Sequence, residues 1–495
     1  MSNLDLLVPP RREDRHPATC LAYGGTLCGS GRKGKKKCAL MADADRGFTQ
    51  GTICPLLPAM GMMLSLPDTA VLMHSAVGCG SMAHGTNGNV RSGHAARRGR
   101  PADGLWFSTA LDEVDVISGG DAKLERAIRE IDAAYSPQAI FVVAGCLPAI
   151  IGDDIDAVTA RVRPEVNARL LPVHCEGFKS RFMATAYDVV YHALGRNLVP
   201  EPDLAGPREE KTINIMNVSS MGRVDEQELE RLAGELGLKA NIFPVFSRPE
   251  SFRKAAVAAL SVSTCPTHDD YFLSHLEEKY GVPFVIRHMP VGIANTGMWL
   301  RDVGERLGLG AEAAALAEKE EKETREALAE FLPHFKGKRA FLSAGEYRSL
   351  ATASLLRELG FEIVGIRSFH YDEYAEVELD KLRREKGDFT WSVANVQPFE
   401  EANLLKRIKP DLFIGHWHGN NNAGRLGIPT HVIYNTAYGY VGYRGAYDLA
   451  RRLFRKLRNP AFTGRIGRHA RLPYRESWYG REPFSFIRSG TGETA

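Results

Sequence analysis

The feature that most limits what this chain can become is an alternation of short apolar runs, each ended by glycine or proline, with helical stretches, and the alternation starts over twice. TAVLMHSAVGCG (69–80) reads as a strand running into a glycine turn, DAKLERAIREIDAAY (121–135) as an amphipathic helix, and QAIFVVAGCLPAII (138–151) as a buried strand and turn. The proline-rich, charged stretch PEPDLAGPREE (200–210) then breaks the pattern. It resumes with KTINIMNVSS (211–220) as a strand, DEQELERLAGELG (225–237) as a helix and AAVAALSVSTC (255–265) leading to another turn. A long charged helix at about 311–331 precedes a third round, GKRAFLSAG (337–345), ATASLLRELG (351–360), FEIVGIRSF (361–369), KPDLFIGHWHG (409–419) and GIPTHVIYN (427–435). Near-continuous apolar strands joined by helices call for parallel sheets covered on both faces.

The expected fold class is therefore α/β, with three consecutive Rossmann-like, doubly wound parallel-sheet domains. The expected boundaries are an extended N-terminal arm at 1–50, a first α/β domain at 51–205, a second at 211–332, a third at 333–470 and a C-terminal tail at 471–495 that wraps over a neighbouring surface. Composition agrees with a globular chain: 44% apolar and 25% charged residues among 495 exclude a disordered or collagen-like polymer. Lys and Arg number 63 against 60 Asp and Glu, a net +3, which disfavours a nucleic-acid binder that works by bulk charge. The opening MSNLDLLVPPRREDRHPATC has prolines and charges where a signal peptide needs an apolar run, and no uninterrupted apolar stretch reaches membrane-spanning length. The chain is expected to be cytoplasmic, with no membrane and no nucleic-acid partner.

Eight cysteines fall at 20, 28, 38, 54, 79, 146, 175 and 265, and the last 230 residues have none. A reducing compartment argues against disulfides. Any single cysteine is ordinarily a small buried hydrophobe. Cys79, Cys146 and Cys265, however, each follow a strand beside glycine or proline, in VGCG, AGCLP and STCP, where open parallel sheets collect functional groups. Structural zinc sites and ferredoxin-type clusters use close C-x2-C pairs, and this chain has none. Thiolates that converge only through the fold suit a large iron–sulfur cluster, one that another chain can share.

Two further patterns compete for attention. Gly29 to Lys36 nearly matches a phosphate-binding loop, but Lys36 occupies the position of the magnesium-ligating hydroxyl and no apolar strand precedes it, so a nucleotide site is rejected. His416 and His418, in His-Trp-His, have a spacing that on a strand turns both rings to one face; metal ligation and plain loop polarity are both open for them.

At these residues the chain resembles the α-subunit-like family of nitrogenase component 1, over roughly 35–470. HSAVGCG (74–80), ISGGDAKL (117–124), GCLPAIIGDDIDAV (145–158), VHCEGF (173–178), STCPTHDDYFLSHLEEKYGVPF (263–284), GKRAFLSAG (337–345) and KPDLFIG (409–415) carry the resemblance. It implies a fold that surrounds a metallocluster site. Cys54, Cys79 and Cys146 match the α-side ligands of the P-cluster, an [8Fe-7S] relay completed by a homologous β-type (K-like) subunit in an α2β2 heterotetramer. Cys265 matches the cysteine that caps an eight-iron, carbide-type catalytic cofactor. Cys38 and Cys175 have family counterparts that are not ligands, while Cys20 and Cys28 are unassigned.

The departures from the family pattern concern the cofactor pocket. Tyr434 stands where the molybdenum-side histidine is expected, Met183 at the homocitrate-side glutamine, Tyr187 at a histidine that assists dinitrogen reduction, Asn87 at a pocket arginine, Met62 near a gating valine and Gly419 near the homocitrate lysine; Arg348 retains a pocket arginine. These changes imply a cofactor without molybdenum or homocitrate, its second end held by His416 or His418, with Tyr434 and His431 as fallbacks. Met62 and Met183 soften the pocket in a way that suits a thioether. Within the family this pattern points to the catalytic D-type subunit of methylthio-alkane reductase, which receives electrons from an ATP-dependent iron protein and releases methanethiol and a hydrocarbon from small methylthio substrates such as 2-(methylthio)ethanol or dimethyl sulfide. Tyr187, His370 and His418 are the candidate proton donors. The alternative is a scaffold subunit for maturation of the nitrogenase iron–sulfur cofactor; a dark-operative tetrapyrrole reductase subunit is disfavoured by the retained Cys265.

Overall fold

The computed structural model describes residues 6–27, 44–48, 50, 53–218, 221–384, 388–415, 417–433 and 435–489. The chain is α/β throughout, and its strands form three sheets of the expected kind. Contact clustering divides it into two compact units: Met1–Arg15 with Cys54–Ile286, and His16–Ile53 with Arg287–Ala495.

The first unit contains two four-stranded parallel sheets. In one the spatial order is Leu105–Ser108, Thr69–His74, Ala139–Ala144, Arg169–His174. Strand residues alternate between its faces. Val71, Met73, Phe141, Val143, Leu171 and Val173 join one core, whereas Ala70, Leu72, Ile140, Val142 and Leu170 join another under Leu124, Ile128 and Ile131 of helix Asp121–Tyr135. Spacings of two along the strands and three or four along the helix explain both memberships. The second sheet runs Phe284–Val285, Ala258–Val262, Glu209–Met216, Lys239–Phe243.

In each sheet the first strand in sequence has its two sequence successors on opposite sides. That reversal opens a crevice at the carboxyl ends, between Thr69–His74 and Ala139–Ala144 in one sheet and between Glu209–Met216 and Ala258–Val262 in the other.

The second unit is built on six strands in the order Tyr23–Leu27, Phe389–Val393, Glu362–Ser368, Arg339–Ala344, Leu412–Gly415, Thr430–Val432. All pairs are parallel except Tyr23–Leu27, which the N-terminal segment adds antiparallel at the edge. The long charged helix spans Gly310–Leu328, and Gly304 lets it approach helix Ile293–Leu307, since a Cβ at 304 would lie 2.4 Å from that of Ala313. The C-terminal tail packs on its own unit. Ile487–Ser489 pairs with Ala44–Arg46, and Trp478 Nε1 donates to the Phe399 carbonyl at 2.8 Å.

Strand Leu412–Gly415 is followed by helix Trp417–Arg425, which carries the last two residues of the His-Trp-His motif, and His416 lies outside the described residues. The rejected phosphate-loop match at 29–36 lies outside the described residues, as do Cys28 and Cys38. No described helix is long and apolar enough to cross a membrane.

Candidate functional site

The crevice in the first sheet gathers the cysteines. Cys79 lies in the helical turn Val77–Gly80 that follows strand Thr69–His74, and Cys146 opens helix Cys146–Ile151 directly after Ala139–Ala144 and Gly145. The turns interlock: Gly145 N donates to the His74 carbonyl at 3.1 Å, and a Cβ at Gly145 would lie 2.5 Å from Ser75 Oγ. Cys54, two residues before helix Leu56–Met63, reaches the same place. All three thiols are half-buried. Burial pushes the Cys54 thiol upward, a backbone hydrogen bond at Leu56 opposes this, and the neighbouring Cys146 and Cys79 add to the rise. Gly177 forms the floor, because a Cβ there would sit 2.8 Å from Cys54 Sγ and 3.7 Å from Cys146 Sγ. Cys175 is buried beside them, and burial raises its thiol well above the usual range, which suits a neutral thiol.

A buried polar lock fixes these turns. His74 Nε2 lies 2.9 Å from Asp153 Oδ2, its Nδ1 lies 3.1 Å from Thr109 Oγ1, and Gly120 N donates to both Asp153 oxygens at 3.1 and 3.2 Å. A Cβ at Gly120 would meet Asp153 and His74 within 2.8 Å, so only glycine fits. Burial lowers the His74 pKa and favours the neutral imidazole. His74, Gly120 and Asp153 thus tie together three of the motifs that stood out in the sequence. Their roles were not legible there, because they lie far apart in the chain.

Cys265 occupies the corresponding position in the second sheet. It is buried and precedes helix Pro266–Tyr280, with proline at the first helical position. Asp269 folds back to hold the turn: its Oδ2 accepts from Ser263 Oγ at 2.7 Å, Thr264 N at 3.1 Å and Cys265 N at 3.2 Å. Burial outweighs these bonds and pushes the Asp269 carboxyl up to about 7. Thr264 Oγ1 spans the crevice to the Met216 carbonyl at 2.7 Å. Sequence reading missed Asp269, although S-T-C-P-T-H-D carries the signal of an acid placed to cap the turn it follows.

Tyr187 and His268 stack beside this turn, ring centroids 3.7 Å apart and planes 25° apart. The helix that carries Tyr187 and the helix that follows Cys265 are pinned by buried ion pairs. Arg12 Nη1 contacts Asp270 Oδ1 at 3.0 Å, while Arg15 contacts Asp188 Oδ2 at 2.7 Å and Asp270 Oδ2 at 2.8 Å. Met62 is buried in the first unit's core, and Met183 is half-buried. Asn87 Nδ2 donates to Asp103 Oδ1 at 3.0 Å.

The remaining candidates belong to the second unit. Arg348 is buried with its guanidinium 5.5 Å from the Tyr440 ring centroid, and His370 is buried just beyond strand Glu362–Ser368. His431 is buried in strand Thr430–Val432, where burial pushes its pKa down to about 3. His418 and Gly419 lie on helix Trp417–Arg425, and their side chains are not described. His416 and Tyr434 lie outside the described residues.

The donor set fits an iron–sulfur group. Three thiols share one crevice, and the glycine floor leaves room that any side chain would take. Cys20, Cys54, Cys79, Cys146, Cys175 and Cys265 are all thiols, with no disulfide among the described residues.

Comparison with known proteins agrees with this construction. The family model for nitrogenase component 1 type oxidoreductases matches residues 54–458. The chain is 27% identical to the nitrogenase iron-molybdenum cofactor biosynthesis protein NifE of Nostoc sp. over 446 residues, 87% of each chain. It is 26% identical over 431 residues to the nitrogenase molybdenum-iron protein alpha chain of Methanothermobacter marburgensis, covering 83% of this chain and 88% of the relative. The solved structure of nitrogenase Cp1 at pH 5 shares the fold, with a TM-score of 0.73 and 20% identity over 93% of this chain and 98% of that one.

Proposed function

The chain belongs to the nitrogenase component 1 type oxidoreductases, and from that premise we propose that it is the α-type subunit of a scaffold complex on which an iron–sulfur cofactor is carried and matured. The observation that carries the reading is the placement of its thiols: Cys54, Cys79 and Cys146 converge at one crevice, and Cys265 stands alone in a second, held by Asp269. Extended similarity to a cofactor biosynthesis protein supports a scaffold.

In this reading Cys54, Cys79 and Cys146 would hold a P-cluster-type group shared with a homologous β-type subunit in an α2β2 assembly. Cys265 would hold one end of an eight-iron cofactor that lacks molybdenum and homocitrate. The relay group supplies low-potential, one-electron transfer when bound, delivered by an ATP-dependent iron protein. The chain's own contribution is positional. Gly177 keeps the crevice open, the His74–Asp153–Gly120 lock fixes the turns around it, and Asp269 turns the Cys265 backbone toward its crevice. Binding to a single thiolate suits a cofactor that has to leave again for another protein.

A second reading, a methylthio-alkane reductase, is favoured by the Tyr187–His268 stack. Two rings with dissociable protons beside Cys265 serve a C–S cleavage that must protonate its leaving groups, whereas a scaffold has no need of them. In that reading Tyr187, His370 and His418 would be the candidate donors and Arg348 a retained pocket arginine, Met62, Asn87, Met183, Gly419 and Tyr434 are the cofactor positions that the resemblance assigns, and His416 or His418 would ligate the second end.

One experiment separates the two readings. The anaerobically purified complex is offered either a cofactor-free recipient component 1 protein, or 2-(methylthio)ethanol with iron protein, ATP and reductant. The scaffold reading predicts activation of the recipient and no methanethiol. Methanethiol release without activation overturns it in favour of the reductase.

A further inference from the structure

We propose that Glu346, His370 and Asp372 form a binding site for one divalent first-row metal ion, one that uses none of the cysteines and is independent of the function proposed for them. The three residues lie at the carboxyl ends of adjacent parallel strands in the second unit. Glu346 begins the helix after Arg339–Ala344, and His370 and Asp372 follow Glu362–Ser368. All three are buried, at 1%, 2% and 0% exposure, and one ligand atom from each lies within 4.8 Å of the others.

The arrangement aims each donor inward. Asp372 N donates to Glu346 Oε2 at 3.0 Å and Tyr374 N donates to Asp372 Oδ1 at 3.1 Å, which fixes both carboxylate planes. The other oxygen of each carboxylate then faces the same imidazole nitrogen: His370 Nε2 lies 3.5 Å from Glu346 Oε1 and 3.9 Å from Asp372 Oδ2. Ligands about 2.1 Å from a tetrahedral ion stand about 3.4 Å apart, so the two sides that meet at His370 Nε2 need to contract by no more than about half an ångström, and the Glu346–Asp372 side starts within 4.8 Å.

Charge and chemistry point the same way. Two carboxylates buried together repel, and a dication between them removes that repulsion while the imidazole supplies a neutral third ligand. An N,O,O donor set with no thiolate suits manganese, iron(II) or zinc, and it does not suit the soft ions that the cysteine crevice selects. The segment is closed over from the N-terminal side: Cys20 N donates to the Tyr371 carbonyl at 2.8 Å and Tyr371 N to the Cys20 carbonyl at 2.9 Å. A metal here would tie the two central strands Arg339–Ala344 and Glu362–Ser368 together at their carboxyl ends, and a metal-bound Nε2 would take His370 out of any proton-donor role.

The test uses the complex produced in zinc-depleted, manganese-supplemented medium and desalted anaerobically. Retained manganese is counted, and its pulsed electron paramagnetic resonance spectrum is searched for coupling to an imidazole nitrogen. The expected result is about one manganese per chain with that coupling, reduced at least about tenfold in His370→Gln and in Glu346→Gln while the cluster signals persist. Three results overturn the proposal: no retained manganese, retained manganese without nitrogen coupling, or as much manganese in the two variants as in wild type. If a variant fails to fold, the wild-type count and spectrum decide alone. Failure here leaves the cluster reading intact, because that reading is tested on cysteine variants.

Discussion

The ring of Tyr187 lies flat against that of His268, centroids 3.7 Å apart, three residues beyond Cys265 in sequence. The pair packs two helices, since Tyr187 belongs to Thr185–Asn197 and His268 to Pro266–Tyr280. Tyr187→Phe keeps the stack and removes only the hydroxyl. Under the scaffold reading it leaves recipient activation unchanged, and under the reductase reading it lowers methanethiol formation at least about tenfold. Tyr187→Ala should cost about 3 kcal/mol of stability in either case, read by thermal unfolding.

Gly177 supplies a test of the cysteine crevice that spares every thiol. Gly177→Ala places a methyl 2.8 Å from Cys54 Sγ, so either the sulfur or the turn must shift. The expected outcome is a complex destabilised by about 1–3 kcal/mol that has lost most of the iron assigned to the Cys54, Cys79 and Cys146 group. Iron analysis beside a melting curve measures both effects. Full iron content in the variant would mean that the crevice does not bind at that floor.

Asp269 is a positioning residue for Cys265. Asp269→Ala removes the acceptor of Ser263, Thr264 and Cys265 and leaves their donors buried. It should weaken retention of the Cys265-bound group while the signal of the other cluster persists. A purely structural role would instead diminish both signals together.

The N-terminal ion pairs are a stability element. Arg12 and Asp270 are almost fully buried, so Asp270→Ala leaves Arg12 without one of its carboxylates and should cost about 3–5 kcal/mol. Urea unfolding of the variant reads the loss. A change below 1 kcal/mol would place the segment outside the stability of this unit.

His174 sets a pH dependence. Burial opposes its protonation, but hydrogen bonds to Asp156 at 2.7 Å and Glu176 at 3.4 Å outweigh burial and push its pKa up to about 9. A pKa raised above the ordinary 6.5 means that the protonated imidazole contributes stability fully below about 6.5, and that this contribution fades as pH rises through about 9. The melting temperature should fall between pH 6.5 and 9 more steeply in wild type than in His174→Asn. Parallel curves would contradict the assignment.

Much of this architecture is written locally. Strand Ala139–Ala144 and helix Asp121–Tyr135 follow from apolar runs and a three-to-four residue period, and the thiols of Cys79, Cys146 and Cys265 announce themselves by glycine or proline at strand ends. Strand order is not local, and it is strand order that makes Cys79 and Cys146 neighbours across a crevice. The lock between His74, Gly120 and Asp153 and the convergence of Glu346 with His370 and Asp372 are likewise long-range. The His-Trp-His spacing left metal ligation and loop polarity open because spacing alone does not say which backbone carries it; helix Trp417–Arg425 carries Trp417 and His418.

The central claim is that Cys54, Cys79 and Cys146 serve one iron–sulfur group and Cys265 another. The most direct measurement is iron content with electron paramagnetic resonance on the anaerobically purified complex in wild type, Cys146→Ala and Cys265→Ala. The account predicts that each substitution removes a different portion of the iron and a different signal. Both variants losing the same signal, or neither losing iron, would contradict it.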